Sequence, residues 1–282
     1  MSIMNTLKNV NVLHIMKFMS KLKKLIMMAN VSLDDSWSNK YLTIEALEDN
    51  LTVSLSVSPC QYSLNGTDWN ELPAKSTTPA INNGEKIYFK AEGLTPNSRN
   101  GIGKFIVSKR FNLSGNVMSM LFGDEAQGKF DLTGYNYAFS ILFTSTPVVN
   151  VSSDFLPATI LASGCYGSMF YGCTSLVTAP ELPVTTLVDH CYYGMFGGCT
   201  SLVNAPELPA TILVDSCYQC MFDNCTSLNY IKMLATDISA TNCLSNWVAN
   251  VSATGTFVKS KDATWSVTGN SGIPSNWTVE TV

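Results

Sequence analysis

The chain has 282 residues, of which 46% are hydrophobic and only 13% are charged. That charged fraction is about half of the ~25% usual in soluble domains, and it favours a β-rich or repetitive fold whose surface carries hydroxyl and amide groups. No stretch reaches the ~18 consecutive apolar residues of a membrane-spanning helix.

Charge is distributed unevenly along the chain. Residues 1–28 carry five lysines and no acid, whereas the rest of the chain has 12 basic and 21 acidic residues, a net −9. Residues 139–250 contain seven acidic residues and a single base, Lys232. Because a surface of this sign repels phosphate, we expect no nucleic-acid partner.

The first predicted element is a basic amphipathic helix within residues 1–37. In "VLHIMKFMSKLKKLIMMAN" apolar side chains fall on one helical face and lysines on the other. The lysines interrupt the apolar run, so the segment does not resemble a secretory signal. Three interpretations stay open: a helix that docks on a partner or oligomerises, a helix that contacts a membrane surface, or a non-native extension upstream of a start at Met27 or Met28.

Residues 38–135 are predicted to form an antiparallel β-sandwich domain. Apolar and polar residues alternate in "YLTIEAL", "LTVSLSVS", "KIYFKAEGL" and "GKFIVSKRFNL", with turn signals such as Asn65-Gly66 between them. The segment "YSLNGTDWNEL" (62–72) predicts a hairpin with Trp69 packed on the returning strand. A glycan-binding Asp-box is disfavoured for this hairpin, because its spacing is one residue short.

Residues 136–250 repeat with a period of 26 residues. The copies begin with "CYGSMF" at 165, "CYYGMF" at 191 and "CYQCMF" at 217, and an earlier worn copy places Phe143 one residue out of step with Phe170. This period lies in the 20–29 range of leucine-rich repeats. Each unit is therefore predicted as a short strand ("SLVNAPEL"), a turn and a helical arc ("TILVDSCYQCMF"), stacked into a short solenoid. Residues 251–282 leave the period and are predicted to form its C-terminal cap.

Eight of the nine cysteines lie in these repeats. Since Met, Phe and Leu share the same period, we expect cysteine to fill a narrow buried position. Disulfide bonds are a second interpretation, although stacked side chains point in parallel and fit the required dihedral angle poorly. Zinc is a third, but the CxxC pair of Cys217 and Cys220 has no second pair to complete a tetrahedral set. We therefore expect neither a metal nor another cofactor.

The sequence contains no recognisable set of catalytic residues. The two histidines are His14, in the N-terminal helix, and His190, whose position holds Ser216 and Asn242 in the later repeats. A dyad of His190 with Cys191 is disfavoured because adjacent residues seldom face one another. No GxSxG, HExxH, P-loop or dinucleotide-binding fingerprint is present. The sequence predicts a protein that is not an enzyme.

The unit MF-x-GCTSL-x-x-AP-x-LP, carried by Met169–Pro183 and Met195–Pro209, closely resembles the BspA-like leucine-rich repeats of gut anaerobes and their phages. The resemblance covers about residues 139–250. It implies a right-handed solenoid used in adhesion and in binding a protein or glycan at a cell surface, without catalysis. The lack of a secretory signal raises a second expectation, a phage virion component anchored through its N-terminal helix.

The residues beside each predicted strand vary between repeats, whereas the ladder residues do not, which is typical of a recognition surface over a fixed core. The leading hypothesis is a non-enzymatic recognition protein, extracellular, at a cell surface or on a virion. The alternative is a structural or decoration protein that contacts other virion proteins. The oligomeric state stays open. The expected binding residues are Thr178, Glu181, Asn204, Glu207, Tyr230 and Lys232.

Overall fold

The computed structural model describes residues 40–96 and 98–282. Short strands dominate these residues, and the only α-helix among them is the single turn α1 (Ser119–Phe122), followed by the 3-10 turn Gly123–Glu125. A second 3-10 turn spans Ser98–Asn100. Contacts group Asn39–Val282 into one compact unit. The strands are β1 (Leu42–Ala46), β2 (Val53–Leu55), β3 (Cys60–Ser63), β4 (Asn70–Leu72), β5 (Lys86–Lys90), β6 (Phe105–Val107), β7 (Phe111–Ser114), β8 (Val148–Val151), β9 (Tyr230–Met233), β10 (Thr256–Lys259) and β11 (Thr278–Thr281).

The main sheet has six strands in the order β4-β3-β5-β1-β7-β8. Its neighbours run antiparallel except β7 and β8, which are parallel. The period-two pattern explains its buried face, because residues such as Ile44, Phe89 and Leu113 point to the same side of the sheet and are fully buried or nearly so. The predicted 62–72 hairpin is confirmed as β3–β4. Trp69 packs edge-on against Tyr41 at a ring-centroid distance of 4.6 Å.

The predicted antiparallel β-sandwich is wrong. A sandwich needs two packed sheets, but residues 40–135 supply one large sheet and only the small β2–β6 ladder beside it. The large sheet also takes its last strand, β8, from the repeat region, and the pairing there is parallel. Phe105 stacks on Phe143, 5.2 Å between ring centroids, so one core continues from the sheet into the repeats. Period-two alternation identifies strands but does not tell which strands pair.

Successive four-residue turns fill the predicted helical arcs. The amide of Met169 donates to the Tyr166 carbonyl three residues earlier, whereas the next amide, Phe170, donates to the Met195 carbonyl in the following repeat at 2.9 Å. Every fourth residue has positive φ, as in Ser168 at 52°. A left-handed residue at every fourth position ends an α-helix after one turn. We call these segments the turn layers; they span residues 137–145, 164–172, 190–198, 216–224 and 242–250.

Equivalent side chains stack between the turn layers. Phe143, Phe170, Phe196 and Phe222 form one column, with 5.8 Å between successive ring centroids and interplanar angles of 9°, 3° and 4°. The stacking of Phe143 on Phe170 confirms the one-residue offset predicted for the worn copy. All four rings are fully buried. The backbone ladder between layers and this column together fix the orientation of each repeat.

The predicted leucine-rich-repeat solenoid is also wrong, because no described unit carries the strand and helical arc that such a repeat requires. The "SLVNAPEL" segments form only isolated bridges such as Asn204↔Tyr230. Pro180 and Pro206 lack the N–H that a continuous ladder needs. Where the third repeat has "YIKML" in place of "NAPEL", strand β9 forms.

With no such solenoid, residues 251–282 are not its cap. Strands β10 and β11 join β9 in a three-stranded parallel sheet. The predicted amphipathic helix in residues 1–37 lies outside the described residues, and its interpretations, membrane contact included, stay predictions. The domain boundaries stay predictions as well. Within the described part of the chain, no helix combines the length and hydropathy needed to cross a membrane.

Candidate functional site

The six predicted binding residues fall in two rows along the bridged segments of the repeats, and we call them the strand face. The first row holds Thr178, Asn204 and Tyr230. Thr178 pairs in parallel with Asn150, and its hydroxyl donates to the Asn150 side-chain carbonyl at 2.8 Å. Asn204 pairs in parallel with Tyr230. Thr178 and Asn204 are exposed and Tyr230 is half-buried, so the row faces solvent.

The second row holds Glu181, Glu207 and Lys232. The pairing register between the second and third repeats shifts by one residue, from Asn204 with Tyr230, 26 positions apart, to Leu208 with Met233, 25 positions apart, so Glu207 comes to face Lys232. The Lys232 ammonium donates to Glu207 Oε2 at 3.0 Å. An exposed pair of this kind contributes about 0–1 kcal/mol to folding; its main effect is to orient both side chains. Glu181 is exposed, and within the described residues it forms no ion pair.

The first row continues into both sheets. The Asn150 side-chain amide donates to Asn112 Oδ1 at 2.9 Å, and Asn112 pairs with Glu45 in β1. At the other end, Tyr230 pairs with Thr256, which pairs with Thr278. The sequence alternation in "RFNL" already put Asn112 on the solvent side. The parallel pairing of β7 with β8, which brings Asn112 to Asn150, left no signal in the sequence.

Exposed valines flank the polar row. Val177 donates its amide to the Val149 carbonyl at 2.8 Å, and its side chain is 52% exposed. Val203, its equivalent one repeat later, is 40% exposed and accepts the Asn229 amide at 3.0 Å. Hydroxyl, amide, carboxylate and small apolar groups therefore alternate over a surface held by a packed core. This mixture suits the binding of another molecule across a surface.

The cysteine columns confirm the packing interpretation. Cys173, Cys199 and Cys225 are fully buried, and each thiol donates to the phenylalanine carbonyl of the preceding layer at 3.0, 3.1 and 3.0 Å. Burial raises the pKa of the Cys225 thiol to about 12, which keeps it protonated and a poor nucleophile. All nine cysteines are free thiols, so the disulfide interpretation is wrong. In the described residues, no cluster of three or more His, Cys, Asp or Glu could hold a metal ion.

The His190–Cys191 pair does not form a dyad. The His190 side chain is exposed and lies beside Tyr193, 6.2 Å between ring centroids. Cys191 points into the core and is 0% exposed. Burial raises the pKa of the Cys191 thiol well above its ordinary value. The two side chains therefore lie on opposite sides of the layer.

A second group of charged residues is structural. Lys90 is 7% exposed, donates to Asp124 Oδ2 at 2.7 Å and lies 4.4 Å from the centroid of the Trp69 ring. Tyr41 donates its hydroxyl to the same carboxylate. The hydrogen bond from Lys90, followed by that from Tyr41, lowers the pKa of Asp124 to about 2. The cluster ties β5 to the 3-10 turn after α1.

No protein-family model, no curated protein and no solved structure matches this chain. A function for the protein therefore has to rest on the residues of the chain itself.

Proposed function

We propose that the protein is a non-enzymatic recognition protein that binds a protein or glycan through the strand face, outside the cell, at a cell surface or on a virion. The observation that carries the proposal is a row of exposed or half-exposed side chains in two paired stretches, one from Glu45 in β1 to Thr178 and the other from Asn204 to Thr278 in β11. A surface held in place before binding loses little conformational entropy when it meets a partner.

The sequence resemblance of the repeat unit to BspA-like repeats supports an adhesive role. Eight of the nine cysteines are buried and protonated, and burial raises the pKa of the thiol of the ninth, Cys220, as well. The carboxylates that repeat, Glu181 and Glu207, stand on an open surface, and in the described residues the one charged side chain paired with either of them is Lys232. These properties favour binding over catalysis.

One observation favours the alternative role, a structural or decoration protein of a phage particle. All four residues of β11 are exposed, and in the described residues the outer edge of this strand pairs with no other strand. An open edge can add a strand from a neighbouring protein. This arrangement would suit assembly with a second copy or with another virion protein.

The test is binding to an immobilised array of defined glycans, purified bacterial surface polymers and purified bacterial surface proteins. The variant Glu181→Gln/Glu207→Gln/Tyr230→Ala removes two carboxylates and one tyrosine from the strand face. The matched control Glu125→Gln/Asp189→Asn/Tyr171→Ala removes the same groups elsewhere on the exposed surface. Array members that bind the wild type should bind the first variant at least ~10-fold more weakly, about 1.4 kcal/mol, and the control within ~2-fold.

Equal binding by the two variants contradicts the proposal, and so does failure of the wild type to bind any array member. If the wild type binds no array member but assembles in a concentration-dependent way in sedimentation velocity, the recognition function is contradicted and the structural alternative is supported.

A further inference from the structure

A groove of about 450 Å³ opens on the turn layers. It lies apart from the strand face, because none of the strand-face residues lines it. Its volume falls in the range of about 300–1,000 Å³ typical of small-molecule sites. We call it the turn groove. The side chains that give it chemical character are Arg99, Tyr137, Ser168, His190, Tyr193 and Gln219.

The turn groove exists because the second turn layer lacks large side chains there. Gly167 occupies the position of Tyr193 in the next layer, and Gly164 occupies that of His190. A Cβ at Gly164 would overlap the ring of Tyr137, and its φ of +62° also favours glycine. The Tyr137 ring of the first layer therefore lies against the backbone of Gly164, and Tyr193 of the third layer borders the groove on the other side.

Tyr137 and Tyr193 belong to turn layers that lie two layer spacings apart. Stacked rings in the buried column beneath place these three layers 5.8 and 5.9 Å from one another. Tyr193 is 38% exposed, and its ring is tilted 36° from that of His190. Aromatic faces of this kind pack against the C–H face of a sugar ring, while their polar ends remain available for hydrogen bonds.

Three polar side chains of the turn groove are not engaged within the described part of the chain. Among residues 40–96 and 98–282, the side chains of Arg99, His190 and Gln219 form no hydrogen bond or ion pair with another residue. A guanidinium, an imidazole and a carboxamide together offer several donors and acceptors at short range. They match a ligand with many hydroxyl groups.

Arg99 determines the sign of the charge that the ligand should carry. Among the described residues that line the turn groove, it is the only permanently charged one, and none of them is Asp or Glu. A positive charge at this position is unusual, because the net charge of the chain outside residues 1–28 is −9. A guanidinium pairs with a carboxylate through two parallel hydrogen bonds. We propose that the turn groove binds an acidic sugar, whose carboxylate pairs with Arg99 and whose ring packs against the exposed ring of Tyr193.

The test is saturation-transfer NMR, with titration of chemical shifts for affinity. The probes are glucuronate, galacturonate and N-acetylneuraminate, with methyl glucoside as the neutral sugar and acetate as the bare carboxylate. At least one acidic sugar should bind, and it should bind at least 10-fold more tightly than both methyl glucoside and acetate. Absence of saturation transfer to all three acids would overturn the proposal, as would acetate binding equal to that of the sugars.

Substitutions of Arg99 and Tyr193 separate recognition of the carboxylate from packing of the sugar ring. Arg99→Gln should abolish the preference for the acidic over the neutral sugar, whereas Arg99→Lys should retain part of it because the charge remains. Tyr193→Ala should weaken binding at least 10-fold. The matched control is Tyr171→Ala, which removes a tyrosine that is 44% exposed, belongs to the second turn layer and lies outside the groove. It should bind as the wild type does.

Equal losses in Tyr193→Ala and Tyr171→Ala would overturn the assignment of the groove, and so would an unchanged acid preference in Arg99→Gln. The strand-face triple variant should bind the acidic sugar as the wild type does. A negative result for the strand face in its own assay therefore does not contradict the turn-groove proposal, and the reverse also holds.

Discussion

Replacing Phe196 by leucine tests whether the ring column stabilises the turn layers. Phe196 is fully buried between Phe170 and Phe222, with a ring-centroid distance of 5.8 Å on each side. Leucine keeps the position apolar but removes both ring–ring contacts. Each such contact contributes about 0.5–1.5 kcal/mol beyond the burial of area, so Phe196→Leu should lower the free energy of unfolding by about 1–3 kcal/mol.

The assay is urea unfolding followed by tryptophan fluorescence, because Trp247 lies 6.1 Å from Phe222 in the same core. The matched control is Phe130→Leu at a side chain that is 42% exposed; it should change the free energy by less than about 0.5 kcal/mol. The double variant Phe170→Leu/Phe196→Leu should show a coupling energy of about 0.5–1.5 kcal/mol.

An effect of Phe196→Leu no larger than that of Phe130→Leu would refute the stacking argument. Strict additivity of the two substitutions in the double variant would refute it as well, since residues in direct contact should couple.

Three further predictions follow from buried or paired groups. Tyr166→Phe should raise the free energy of unfolding by about 1 kcal/mol in urea, because the buried hydroxyl has no hydrogen-bond partner in the described residues; a loss of stability would contradict this. A thiol reagent should label Cys220 first in the native protein, since it is the only cysteine that is not buried, and Cys220→Ala should leave the folded protein unreactive on the same timescale. The lowered pKa of Asp124, about 2, implies stability that is present above about pH 4, the pKa of an unfolded Asp, and is lost as the pH falls towards 2. In Asp124→Asn the melting temperature should depend less on pH across that window. An unchanged dependence of the melting temperature on pH would show that Lys90 does not hold the carboxylate ionised.

The sequence predicted correctly which positions recur and which of them are buried. The 26-residue repeat, the buried cysteines and the offset of Phe143 all follow from which positions recur, and the structure contains each of them. The β3–β4 hairpin also follows from local turn signals.

The turn layers were missed because an apolar period near four residues is shared by helices and by successive turns. The distinguishing signal is weak: the left-handed positions hold glycine at 164, 172, 194 and 198, but also Ser168, His190 and Cys220. Only the alternation of hydrogen bonds, within a layer and between layers, separates the two structures.

Pairing between distant segments was missed for a different reason. The parallel register of β7 and β8 depends on Phe111 and Val148 meeting across 37 residues, which no local pattern encodes. The turn groove depends on the same long-range stacking, since Gly167 and Tyr193 line it together only when their layers adjoin.

The central claim is that the strand face recognises the target. The most direct measurement is carboxyl footprinting by carbodiimide labelling and mass spectrometry, with and without a saturating concentration of an array member that binds the wild type. Labelling of Glu181 and Glu207 should fall several-fold on binding, whereas labelling of Glu125 and Asp189 should stay constant. Unchanged labelling at Glu181 and Glu207 while the target is bound would place recognition elsewhere and contradict the account.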